Sequence, residues 1–193
     1  MPPTGSILFH LQRVHQIYGA NTNVGKTVVS TILCRALAHR NPQEQVFYLK
    51  PVSTGPLDEA DDAHLSRFSP HTSTKCLFQF DDPVSPHIAA RSKQLTDVSV
   101  LEAVRAELLS RSEKGPGTFL VETAGGVHSP TPSGSSQADA YRPLRLPVVL
   151  VADHCLGGIS SSIAAFESLH IRGYDVDAVL LFEDARYQNH DFL

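Results

Sequence analysis

Short apolar runs and longer amphipathic stretches alternate along the chain. Five runs read as buried strands: the stretch leading into Tyr18-Gly19, Val46-Phe47-Tyr48-Leu49, Thr118-Phe119-Leu120-Val121, Pro147 to Ala152, and Ala178 to Phe182. From Gly25 to about His39, apolar Val28, Val29, Ile32, Leu33, Ala36 and Leu37 recur at helical spacing, and Asn41-Pro42 ends the pattern. Strand, helix and strand within about 35 residues predict a right-handed crossover in a parallel sheet. A second helical stripe, Val98, Leu101, Val104 and Leu108, ends near Lys114-Gly115-Pro116-Gly117. Shorter helices are predicted before Phe68, through Ile88-Ala89-Ala90 with Ser85 as cap and Pro86 in the first turn, and from about Ile159. Residues 127–145, rich in Ser, Pro and Gly, read as a long surface loop, and residues 1–14 as a leader before the first strand.

The most informative junction lies between the first strand and the first helix, where Gly19-Ala-Asn-Thr-Asn-Val-Gly-Lys-Thr27 runs through a glycine-bounded loop. Glycine lets the backbone approach a phosphate, successive N–H groups form an anion nest, and the helix start adds partial positive charge. Lys26 is placed to reach outer phosphates and Thr27 to offer its hydroxyl to Mg²⁺. The first glycine stands one place earlier than the usual pattern requires, at Gly19 rather than at position 20, so the reading rests on Gly25-Lys26-Thr27 in its strand-to-helix setting.

In an open parallel sheet, ligands bind beyond the carboxyl ends of the strands. Lys50 and the Ser53-Thr54-Gly55 turn therefore belong to the same rim as the loop. So does Glu122, at the tip of an apolar strand and followed by Thr123-Ala124-Gly125-Gly126. Asp58, Glu59, Asp61 and Asp62 precede a short helix; a phosphate site with Mg²⁺ needs one or two carboxylates, and Asp62 is the candidate. Leu156-Gly157-Gly158 opens a second glycine-bounded helix able to take an anion. His87 beside Ser85 reads as structural.

Composition narrows the partners. The 193 residues carry a formal net charge of −4, with no arginine-rich run or basic stripe, so nucleic acid is not an expected partner. No apolar run approaches the roughly 20 residues of a membrane span, so no membrane partner is expected either. Cys34, Cys76 and Cys155 are far apart and read as reduced intracellular thiols. The first 14 residues hold Arg13 and no acidic residue, which leaves mitochondrial matrix and cytoplasm both open.

Taken together, the loop Gly19–Thr27, Lys50-Pro-Val-Ser-Thr-Gly55, the acidic segment ending at Asp62, Ser85-Pro-His87, Leu120-Val-Glu-Thr-Ala-Gly-Gly126 and Leu156-Gly-Gly-Ile-Ser160 occur in the order found in dethiobiotin synthetases. The chain resembles that family over nearly its whole length, most of all the fungal form fused to a diaminopelargonic acid aminotransferase. The resemblance implies an α/β fold of the P-loop NTPase type, a three-layer sandwich with a mainly parallel sheet flanked by helices. It also implies a domain over residues 15–193 that continues in a longer polypeptide.

The implied reaction closes the ureido ring of 7,8-diaminononanoate with CO₂ and ATP, through a carbamate that ATP phosphorylates. Lys26, Lys50, Thr22 and Thr54 become the catalytic set, and Thr27, Asp62 and Glu122 the Mg²⁺ ligands. Asn23, Val24, Gly25, Lys26, Thr27, Val28, Glu122, Gly125, Gly126, Glu183 and Asp184 become the ATP contacts. A homodimer is implied in which Gly157, Gly158 and Ser160 bind the substrate carboxylate of the neighbouring subunit. Asn23, Ser160 and Glu183 stand where many bacterial members carry Glu, Asn and Asn; a glutamate at 183 lacks the amide's paired donor and acceptor for a purine. A cobyrinate amidase-like synthetase and a nucleotide-dependent switch remain alternatives on the same fold.

Overall fold

The computed structural model describes residues 12–57 and 61–193. Twelve elements follow in chain order: β1 (Gln12–Gly19), α1 (Lys26–Arg40), β2 (Gln45–Thr54), α2 (Asp61–Phe68), β3 (Ser73–Phe80), α3 (Pro86–Ala89), α4 (Asp97–Ser112), β4 (Gly117–Glu122), α5 (Gln137–Ala140), β5 (Val148–Val151), α6 (Gly158–Ile171) and β6 (Val176–Leu180). Short 3₁₀ turns occupy Arg142–Leu144 and Asn189–Asp191.

All strands pair in parallel, in the order β3-β2-β4-β1-β5-β6. Alternation along each strand divides the core between two faces. Val14, Phe47, Leu49, Phe119 and Val121 pack toward α4, whose Val100, Leu101, Val104 and Leu108 are buried against them. Tyr18, Val148 and Leu150 face Ala165 and Leu169 of α6. Ile17, Val46, Tyr48, Leu120, Val149 and Val151 point the other way, onto Val29 and Cys34 of α1 and Leu65 of α2. The result is the expected three-layer sandwich, its strand ends carrying the loops after β1, β2, β4 and β5 on one rim.

Five expectations change. β2 runs on through Thr54, so Lys50 lies within the strand and Ser53 and Thr54 are paired strand residues rather than a turn. β3 is a sixth strand, on the sheet edge, where only Phe80 is fully buried. β1 begins at Gln12, so positions 12–14 of the expected leader belong to the sheet; residues 1–11 lie outside the described residues. The stretch 127–145 is not a surface loop. Val127, Ala138, Ala140, Tyr141 and Leu144 are buried in it, and Asp97 ties its hydroxyls together by accepting from Thr131 (2.8 Å), Ser133 (2.6 Å) and Ser135 (2.5 Å). Ser85 precedes α3 but gives no side-chain cap; its Oγ bonds His87 Nδ1 at 3.1 Å.

Candidate functional site

Residues 20–25 leave β1 and enter α1 at Gly25, whose φ of 86° suits glycine. A Cβ there would also stand 2.5 Å from the Phe182 ring, so the loop's exit is propped by the segment after β6. Val24 buries its side chain in the α1 face of the core, leaving only its backbone to the loop. Lys26 is buried and curls over the loop, its Nζ donating to the carbonyls of Thr22 (2.9 Å) and Asn21 (3.3 Å). Burial, and next the charge of Lys50, bring the Lys26 ammonium down to about 8.

Three strand and helix ends converge on this loop. Val46 and Tyr48 of β2 and Leu120 of β4 face α1, and the same alternation aims Lys50 and Glu122 at one point. Lys50 Nζ lies 2.6 Å from Asp61 Oδ2, 2.9 Å from Glu122 Oε1 and 3.2 Å from the Thr123 carbonyl. Burial works against its charge, but Glu122 and Asp61 outweigh it, and the ammonium is held above the ordinary lysine range. The Asp61 carboxyl is lowered for the reciprocal reason, Lys50 overcoming burial. Thr27 Oγ1 donates to Asp61 Oδ1 at 2.5 Å and lies 3.4 Å from Glu122 Oε1. Ser30 Oγ donates to Glu122 Oε2 at 2.6 Å.

A cleft of about 470 Å³ opens over this cluster. Its lining brings together Thr22, Asn23, Gly25, Lys26, Thr27, Val28, Lys50, Thr54, Glu122 and Gly125, all anticipated, with Val52, Ser53, Ala124 and Asp61. Asp61, not Asp62, supplies the helix-start carboxylate. Within α2, Asp61 turns its side chain toward α1 and β2, while its neighbour, about 100° further round, does not line the cleft. Asp58 and Glu59 lie outside the described residues. A hydroxyl and two carboxylates are the oxygen set a hard divalent cation takes, and the buried cations with the loop suit phosphate. Gly126 sits behind the lining, its N–H bonded to Ser129 Oγ at 2.8 Å.

The rim over β5 and β6 is built differently. Gly157 begins α6 with φ 85°, but the Gly158 N–H is already committed to the Cys155 carbonyl at 2.9 Å. Ser160 is exposed. Asn189, which nothing in the pattern singled out, latches this loop by donating to the carbonyls of Asp153 (2.9 Å) and Cys155 (2.8 Å). Asp153, His154 and Cys155 bring ligand atoms within 4.8 Å of one another, yet the Asp153 carboxylate already accepts from Cys155 N (2.9 Å) and Asn21 Nδ2 (3.4 Å). Glu183 points into solvent, and Asp184 accepts from the Arg186 and Tyr187 amides, both at 2.9 Å. None of Gly157, Gly158, Ser160, Glu183 and Asp184 lines the cleft.

The family model described as an AAA domain, AAA_26, matches residues 15–193. An ATP-dependent dethiobiotin synthetase from Novosphingobium aromaticivorans is 35% identical over 172 residues, covering 88% of this chain and 76% of that protein. The chain belongs to the dethiobiotin synthetase family. Within this family, a bifunctional dethiobiotin synthetase/adenosylmethionine-8-amino-7-oxononanoate aminotransferase of Emericella nidulans is 61% identical over 194 residues, covering all of this chain and 25% of that protein. A mitochondrial bifunctional dethiobiotin synthetase/7,8-diamino-pelargonic acid aminotransferase of Arabidopsis thaliana is 36% identical over 243 residues, covering 91% of this chain and 29% of that protein. The chain thus spans about a quarter of the length of these bifunctional relatives. The kinase domain of Escherichia coli tyrosine kinase ETK superposes with a TM-score of 0.54 at 14% identity over 90% of this chain and 69% of that one, a likeness of fold alone.

Sequence reasoning reached this family without Asp61, Ser30 or Asn189. Asp61 lay inside a recognised acidic run, whose helix register decides which carboxylate turns inward. Ser30 follows Thr27 by one helical turn, a spacing that places it on the same face but gives no chemical signal.

Proposed function

We propose that this chain catalyses ATP-dependent carboxylation and ring closure of 7,8-diaminononanoate to dethiobiotin, releasing ADP and phosphate. One observation carries the reading: Lys50, Asp61, Glu122 and Thr27 meet at the mouth of the phosphate loop. Mg²⁺ held by Thr27, Asp61 and Glu122 would neutralise phosphate charge. ATP supplies the phosphoryl group that activates the carbamate.

The chain's own part is positioning and electrostatics. Loop amides from Asn23 to Val28 cradle phosphates, and Lys26 pairs with their outer oxygens. Lys50, kept charged by its carboxylates, faces the cleft where a carbamate and a transferring phosphoryl would share negative charge. Thr22 and Thr54 offer hydroxyls to orient the substrate from two walls of that cleft. Gly125 forms one wall of the cleft, and the purine contacts proposed for Glu183 and Asp184 would come from the segment after β6, whose Phe182 packs on Gly25.

We further propose a homodimer in which the α6 start of one copy, Gly157 to Ser160, receives the substrate carboxylate bound in the other. Its support is the outward face of that helix, where Leu156, Ile163, Phe166 and Ile171 are exposed. The proposed compartment is the mitochondrial matrix or the cytoplasm; among the described residues no helix is long and apolar enough to cross a membrane.

The test is dethiobiotin detection by mass spectrometry, with diaminononanoate, bicarbonate and Mg·ATP supplied together and each omitted in turn, on the chain alone and on the chain fused to an aminotransferase part like that of its bifunctional relatives. Product requiring all three is expected. ADP release without product, in both proteins, would overturn the reading in favour of a nucleotide-dependent switch.

A further inference from the structure

We infer that Ser30 is a positioning residue that sets the Glu122 carboxylate for its divalent cation, an inference that rests on the metal reading above. Glu122 is fully buried, and its two oxygens have separate work. Oε1 receives Lys50 at 2.9 Å and lies 3.4 Å from the Thr27 hydroxyl. Oε2 receives Ser30 Oγ at 2.6 Å.

A serine or threonine inside a helix ordinarily turns its hydroxyl back onto the carbonyl four residues earlier. Thr31 does so, donating to the Thr27 carbonyl at 2.7 Å. Ser30, its neighbour and equally buried, instead reaches out of α1 to the end of β4. That bond fixes the rotation of the carboxylate plane. With Oε2 held by the helix, Oε1 stays turned toward Lys50, Thr27 and the cleft.

Removing the hydroxyl takes from buried Oε2 its Ser30 donor, a costly loss that the side chain relieves by rotating, toward Lys50 or toward the neighbouring Tyr48 hydroxyl, which has no other partner among the described residues. Rotation toward Lys50 spreads that ammonium over both oxygens and takes Oε1 out of line with Thr27 and Asp61. Hydrogen bonds of this kind, one step behind a metal ligand, typically govern affinity by about 10- to 100-fold. A purely structural Ser30 would instead act as a clasp between α1 and β4 and would register only in stability.

The discriminating measurement uses Mn²⁺, whose free ion is read by electron paramagnetic resonance, titrated into the protein with ATP present and compared with the same titration of ATP without protein. Wild type, Ser30→Ala, Glu122→Gln and the double variant are compared, with ATP affinity in EDTA and the thermal midpoint recorded for each. Alanine is the best helix former, so α1 is expected to persist in Ser30→Ala. The expected result is Mn²⁺ affinity lowered about 10-fold or more by Ser30→Ala. ATP affinity in EDTA should stay within about 2-fold, and Ser30→Ala should add nothing once Glu122 is Gln. A wild-type Mn²⁺ isotherm in Ser30→Ala, even with a lower midpoint, overturns the inference, as do additive losses in the double variant. Wild-type protein that takes up no Mn²⁺ with ATP would instead remove the metal reading itself, and the positioning role with it.

Discussion

Two helices, α1 and α6, start on the same rim of the sheet behind a left-handed glycine, with φ of 86° at Gly25 and 85° at Gly157 and no side-chain cap at either. Around Gly25 the space is full: a Cβ would strike Phe182, and Lys26, Lys50, Asp61 and Glu122 crowd the mouth of the helix. Around Gly157 a Cβ would meet nothing within 4 Å, and the adjoining Leu156 is 83% exposed. The backbone device is the same, so it cannot be what distinguishes the sites. The difference comes from the neighbouring strands. β2 carries Lys50 and β4 ends in Glu122, both turned toward α1, whereas β5 ends in a loop whose polar groups mostly satisfy one another. A phosphate site needs charge delivered from adjacent strands; a bare helix start offers only amides for a ligand brought by something else.

The sharpest way to break this contrast is at Lys50. Lys50→Ala should reduce dethiobiotin formation by at least about 10²- to 10³-fold. It should also destabilise the fold by roughly 3–5 kcal/mol, because Glu122 would be left buried without its cation. Adding Glu122→Gln should recover much of the thermal midpoint and none of the activity; recovery of turnover would remove Lys50 from the chemistry. Next come the two glycines. Gly25→Ala should abolish ATP binding and lower the midpoint through the Phe182 clash. Gly157→Ala should cost only the left-handed strain, about 1–2 kcal/mol, with ATP affinity unchanged. Equal losses would mean the contrast is not one of space.

Asp61→Asn should raise the Mg²⁺ concentration needed for half-maximal activity about 10-fold, and Asp62→Asn less than about 2-fold. The reverse order in a Mg²⁺ titration would restore Asp62 as the ligand. The smallest effect is on thiol reactivity. Cys155 on the open rim should be alkylated by iodoacetamide at pH 8, while Cys34 stays protected, buried and with its thiol pushed up to about 12. Peptide mapping that finds Cys34 modified first would contradict the packing of α1.

The interlocked half of the rim was the more legible in sequence. Gly25-Lys26-Thr27 and Glu122 follow from a helix and a strand boundary that periodicity locates, Lys50 from an apolar run that in fact continues past it to Thr54, and the family resemblance joined them. What escaped has physical reasons. β3 lies at the sheet edge, where Ser73 and Lys75 are exposed, most other positions are only partly covered, and the apolar run is no longer than Cys76-Leu77-Phe78, too short to announce a strand. The choice of Asp61 over Asp62 turns on which of two adjacent helix positions faces α1, a one-residue matter of register that composition does not encode. Residues 127–145 look like solvent-facing chain because small hydroxyl residues dominate, yet one carboxylate, Asp97, gathers three of those hydroxyls and lets the apolar minority sink into the core. Asn189 acts through its amide alone on two carbonyls, which no periodicity reports.

The all-parallel pairing has a kinetic consequence as well. The central strand meets β4 through partners such as Arg13 and Thr118, which are 105 positions apart, and Ser30 reaches Glu122 across 92. No central rung of the sheet is local, so each requires closing a loop of that order before any contact repays the lost chain entropy. α1 and the loop before it can form early from nearby residues, but the proposed cation site is complete only when β4 arrives. A substitution at Ser30 or Glu122 is therefore expected to leave the refolding rate nearly unchanged and to speed unfolding, since their contact belongs to the late, native side of the barrier.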